Sequence, residues 1–92
     1  MTRRIYSRYQ DSASKGWFLF AHHQVDQPKL HIWIRHQVTP EIAVETFSQG
    51  LTTWNSERLR FETETETHML FWAWHQPSGD VLVISCFRKD EI

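Results

Sequence analysis

The sequence predicts an α+β domain: one antiparallel sheet of five or six strands with a single amphipathic helix packed on one face, in the order β-β-β-α-β-β-β. Three observations lead there. Five Trp, six Phe and two Tyr in 92 residues make the chain 14% aromatic, a composition suited to a packed core and foreign to disorder. Apolar residues recur at helical spacing in one stretch, residues 40–55, while period-two patterns dominate elsewhere. Clusters of turn formers punctuate the chain at 11–16, 26–29 and 76–80. The length leaves room for one domain, 1–92, and one modest core.

The elements follow in order. Residues 3–10 read as a short extended segment with Ile5 and Tyr9 on one side, leading into a turn at 11–16. Residues 17–25 and 30–37 read as two strands of a hairpin, joined by Asp26, Gln27, Pro28 and Lys29. Thr39 and Pro40 announce a helix start, a hydroxyl at the N-cap and proline at the first helical position. Ile42, Val44, Phe47, Leu51 and Trp54 then carry the apolar stripe to an exit at Asn55 and Ser56. Gly50, within that stretch, suggests a close approach of the helix to the sheet. Residues 58–66 alternate, with Leu59, Phe61, Thr63 and Thr65 on one face and Arg58, Arg60, Glu62, Glu64 and Glu66 on the other. The Glu-Thr repeat there reads as a charged edge strand that resists aggregation. Residues 67–75 and Val81–Arg88 form a last hairpin across Gln76–Asp80.

Charge and cysteine content bound the function. The net charge is −1, so no general phosphate-binding surface is announced. Residues 1–15 are nonetheless basic, with Arg3, Arg4, Arg8 and Lys15 against Asp11, and read as a terminal arm. Cys86 is alone and sits in an apolar run, so it reads as a small buried hydrophobe in a reducing, cytoplasmic setting. No apolar run approaches membrane-spanning length.

Hairpin register assigns the faces. With Val25 opposite Leu30, Trp17, Leu19 and Ala21 point to the core, while Phe18, Phe20, His22, His31, Trp33 and Arg35 share the other face. With His75 opposite Val81, the last hairpin is apolar on both sides: Met69, Phe71, Ala73, Val83, Ser85 and Phe87 on one, Leu70, Trp72, Trp74, Leu82, Ile84 and Cys86 on the other. One helix covers one face only, so the aromatic excess predicts an interaction surface.

The leading expectation is therefore a small cytoplasmic accessory or regulatory protein that forms a homodimer and engages a protein partner. Its contacts would be Phe18, Phe20, His22, His31, Trp33, Arg35, Trp72 and Trp74, with Trp33, Phe20, Trp72 and Trp74 as anchors. The first alternative is a single-stranded nucleic-acid module that stacks bases on Phe18, Phe20 and Trp33 with Arg35 on the phosphate. The second is a small ribonuclease using His22, His31 and Arg35, with Glu62 or Glu64 nearby. No metal-ligand spacing, Ser-His-Asp set, nucleophile elbow or phosphate-binding loop is legible, so no metal, cofactor or catalytic residue is expected.

Overall fold

The computed structural model describes residues 6–11, 16–24 and 27–91. The expectations for Arg3, Arg4, Ile5, Lys15, Val25 and Asp26 lie outside these residues. The elements are β1 (Tyr6–Gln10), β2 (Trp17–Gln24), β3 (Gln27–Leu30), α1 (His31–His36), α2 (Pro40–Gln49), β4 (Leu51–Asn55), β5 (Arg60–Glu64), β6 (His68–Trp74), β7 (Val81–Arg88) and a closing 3-10 turn, η1 (Lys89–Glu91). The α+β class holds. The sheet runs β1-β2-β7-β6-β5-β4, with β3 attached to the far end of β2. It is mixed and mostly antiparallel, since β2 and β7 pair in parallel. No helix among the described residues is long and apolar enough to cross a membrane.

Two segments differ from the sequence reading, each for a physical reason. Residues 31–36, expected as strand, form a second helix. One edge of β2 is paired to β1 over 17–21, and β7 takes Phe18, Leu19 and Phe20 from the other side. Only His22 and Gln24 remain for β3, so a longer strand would find no partner. Residues 31–36 satisfy their backbone internally instead, and Gln37 ends the helix in the left-handed region at φ 56°. The expected single helix over 40–55 stops at Gln49, because Gly50 turns extended and Leu51–Asn55 pairs with β5. β4 is thus the sheet edge, and the Glu-Thr strand β5 lies inside, between β4 and β6.

α2 begins as expected. The Thr39 hydroxyl accepts a hydrogen bond from the Ile42 amide at 3.3 Å, and Pro40 opens the first turn. The helix buries Ala43, Val44 and Thr46. Against it lie Phe18, Phe20, Leu70, Trp72, Val81, Val83 and Cys86, with Phe47 and Phe61 partly buried at the margin. Phe18 and Phe20, expected on the interaction face, are thus core residues at 2% and 1% exposure, while Leu19 and Ala21 are buried as expected, so β2 is covered on both faces. The last hairpin is paired as expected from His68↔Arg88 to Phe71↔Ser85, then slips by one at a bulge. Beyond it Trp72 meets Val83 and Trp74 meets Val81, so Val83 joins the α2 side. The opposite side, with Phe71, Leu82 and Phe87, is half-buried. α1 packs against β2 and β7 and reaches that side where the His36 ring lies 5.6 Å from Phe87.

Candidate functional site

Aromatic rings run in a chain from the core to the surface on the α2 side of the sheet. Phe18 meets Phe47 edge-on at 5.1 Å, Phe47 meets Trp72 at 4.9 Å, and Trp72 stacks on Phe61 at 4.5 Å. The chain then reaches Trp54 through Phe61 at 4.8 Å and Trp74 through Trp72 at 5.2 Å. Such pairs contribute about 0.5–1.5 kcal/mol each beyond their burial. Trp72 is fixed by its indole N–H, which donates to the Thr63 hydroxyl at 2.8 Å. Thr63 in turn bonds the Thr52 hydroxyl at 2.7 Å.

Past the end of α2 the chain of rings opens to solvent. Trp54 is 52% exposed, Trp74 50% and Leu59 70%. Together with Phe61, Ala73 and Gln76 they line a shallow groove of about 420 Å³. Leu59 is held outward by its turn, in which it adopts a left-handed φ of 54°. The Asn55 side-chain oxygen closes that turn by accepting from the Glu57 and Arg58 amides at 3.1 Å. A large residue in this conformation is uncommon and costs on the order of 1–3 kcal/mol.

The groove borders the open edge of β4. That strand, Leu-Thr-Thr-Trp-Asn, has no charge, no proline and no bulge, and its pairing to β5 is unbroken from Leu51↔Glu64 to Asn55↔Arg60. Natural edges usually carry one of those protections. The other edge, β1, carries Arg8, which reaches Asp80 at 3.2 Å and stacks over Trp17.

The residues singled out in the sequence are dispersed. Phe18, Phe20 and Trp72 are buried, so none presents a ring face to a ligand. His22 meets the Ser7 hydroxyl at 2.7 Å. His31, Trp33 and Arg35 stand on α1, with Trp33 48% exposed, and not on one strand face with the two Phe rings. The stacking platform is therefore not assembled. Trp74 alone of the eight lies on the exposed aromatic groove. Trp54 and Leu59 were missed because the helical period claimed the first and strand alternation the second. The Glu62 and Glu64 strand is separated from β2 by β6 and β7, which disperses the His-Glu arrangement considered for a nuclease. Glu62 instead bonds Asn55 and Arg60, which together hold its carboxyl below the usual range. Among the described residues no group of three His, Cys, Asp or Glu side chains is placed to hold a metal ion.

One polar constellation had no signal in the sequence. The His36 ring bonds Glu91 through Nδ1 at 2.7 Å and lies 3.4 Å from the Ser85 hydroxyl through Nε2. The three residues come from α1, η1 and β7, separated by 49 and 55 positions, and no short motif joins them.

Cys86 is fully buried. Burial pushes its thiol up to about 11, and a hydrogen bond with the Thr46 hydroxyl opposes this only in part. In native protein at pH 8, Ellman's reagent should modify Cys86 at least ~100-fold more slowly than in guanidinium, because the reactive thiolate is scarce and screened. Equal rates would show that the core opens readily.

Compared with known proteins, the chain matches no family model, no curated protein and no solved structure.

Proposed function

We infer that this chain is a small protein-binding domain that self-associates, using the surface formed by Trp54, Leu59, Phe61 and Trp74 and the β4 edge beside it. The observation that carries the reading is the exposure of two Trp rings whose inner faces are locked to the core. Rigid, half-exposed Trp side chains around a groove have the character of binding hot spots, since little side-chain entropy is lost on contact. The unprotected edge adds main-chain groups that pair with a further strand.

A second copy suits that edge. Antiparallel pairing about Thr53 sets Leu51 against the partner's Asn55, and Thr52 against the partner's Trp54. Glu64, beside the Leu51 end, is paired to Lys89, and Arg60, beside the Asn55 end, to Glu62, so this edge brings little unpaired charge to a copy of itself, and the two-fold arrangement sets the same strand against itself. An accessory or regulatory role in the cytoplasm, where a lone buried thiol stays reduced, fits this reading.

Sedimentation velocity over a concentration series tests it. The wild type should form dimers at tens of micromolar, and Trp54→Ser with Trp74→Ser should weaken the dimer by ~30-fold or more, about 2 kcal/mol. A monomer across the series, or a dimer indifferent to both substitutions, would overturn the reading.

A further inference from the structure

We propose that Ser85, His36 and Glu91 form a nucleophile, base and orienting acid able to cleave small carboxylic esters. The geometry has the order that acyl transfer requires. Glu91 accepts from Nδ1 of His36 at 2.7 Å, which places the ring proton on Nδ1 and leaves the Nε2 lone pair facing the Ser85 hydroxyl at 3.4 Å. That last separation is longer than a tight hydrogen bond, and nucleophile–base contacts are often looser before substrate binds.

The surroundings suit the chemistry. Ser85 follows the β6–β7 bulge directly: Trp72 pairs with Val83, Phe71 with Ser85, and Ile84 is the extra residue. Bulges re-aim side chains and recur beside active sites. Ser85 stands on the sheet side opposite α2, between its cross-strand partner Phe71 and its strand neighbour Phe87, rings 5.4 Å apart. Both rings are partly exposed; the Arg60 guanidinium lies over Phe71 at 3.6 Å, so the apolar surface beside Ser85 that suits an acyl or aryl group is chiefly that of Phe87. The His36 ring lies against Phe87 and is 22% exposed, so it is accessible as well as fixed. His36 and Glu91 line a cleft of about 490 Å³ with Arg35 and Arg88. Arg88 is engaged twice by Asp90, at 3.2 and 3.1 Å. Arg35 makes no ion pair among the described residues and adds positive charge to the cleft beside His36 and Glu91.

The step balances without a further reactant. Ser85 Oγ attacks the ester carbonyl as its proton passes to His36 Nε2. The carbon–oxygen bond to the leaving alcohol breaks, and that oxygen takes the proton from Nε2. Water then attacks the acyl-serine, giving its proton to Nε2. Release of the acid returns a proton to Ser85.

A fluorophosphonate probe tests this apart from self-association, because Ser85 displaces fluoride from it to form a stable adduct. Intact mass should show one adduct that peptide mapping places on Ser85, and Ser85→Ala should remove it. His36→Ala should slow labelling by ~100-fold or more, and added imidazole should restore part of the rate, which no purely structural role of His36 would allow. Glu91→Gln, a change in a positioning residue, should slow labelling by ~10-fold or more at unchanged Tm. If His36→Ala loses the native near-UV spectrum, His36→Gln takes its place in the comparison. Absence of an adduct on Ser85, labelling of the His36 variant at the wild-type rate, or failure of imidazole to restore it would overturn the proposal.

Discussion

Replacing Trp72 by alanine should cost about 3–5 kcal/mol of folding stability, the range for truncating a large buried aromatic. A domain of this length holds only roughly 5–14 kcal/mol in total, so the midpoint of thermal unfolding should fall by ~12 °C or more. The size of the effect follows from position. Trp72 is 5% exposed and is the junction at which the rings of Phe47, Phe61 and Trp74 meet. Its removal leaves a void under α2 and frees Trp74 and Phe61 from their supports. Trp72→Phe keeps a six-membered ring and loses the pyrrole part of the indole together with its donor to Thr63, whose hydroxyl retains Thr52. A smaller cost, about 1–3 kcal/mol, is expected there. Urea unfolding of both variants checks the order. An alanine variant within 1 kcal/mol of wild type would show that the ring chain is not a core element.

The parts of this fold that local chemistry dictates were legible, and those imposed by remote pairing were not. Thr39 and Pro40 specify a helix start through their own hydroxyl and ring, and α2 begins there. The turn at 76–80 and the pairing of His68 through Phe71 follow from turn residues and alternation. The register fails only beyond Ile84, because a bulge adds one residue without any mark in composition. Leu51 and Trp54 continue the helical spacing of Ile42 and Phe47, yet they are 83% and 52% exposed on a strand. Their state is decided by β5, to which they pair. Residues 30–37 alternate like a strand, but most of β2 is occupied on both edges. The site suffered most. The apolar face was expected where Phe18 and Phe20 stand, and those two rings are what α2 covers. Of the two exposed rings of the groove, Trp54 comes from the segment that continues the helical spacing, and Trp74 from β6, where alternation already marks a strand.

Gly50→Ala should destabilise the protein by about 2–3 kcal/mol, although glycine-to-alanine changes at compatible positions usually gain ~0.4–1 kcal/mol from the unfolded state. The backbone is not the obstacle, since φ −83° and ψ 170° suit any residue. Space is. A Cβ at Gly50 would stand 2.6 Å from Thr63 Cγ2, 2.8 Å from the Glu64 carbonyl and 2.9 Å from the Thr46 carbonyl. Two of these atoms are backbone, one in β5 and one in the last turn of α2 to which the Gly50 amide is bonded, so relief requires both a shift of the strand and a loosening of the helix end. Thr63 cannot rotate away cheaply, because its hydroxyl holds both Trp72 and Thr52. The glycine therefore sets how closely α2 runs into the sheet and where β4 begins, and so where Trp54 emerges. Urea unfolding of Gly50→Ala, Thr63→Ser and the double variant forms a cycle. Thr63→Ser keeps the hydroxyl and removes Cγ2, so it should return at least ~0.5 kcal/mol of the loss as coupling energy. The two carbonyl contacts remain, and the rest of the loss should remain with them. A neutral or stabilising Gly50→Ala would show that α2 and β5 have room to part, and that the entry to the β4 edge is looser than these distances describe.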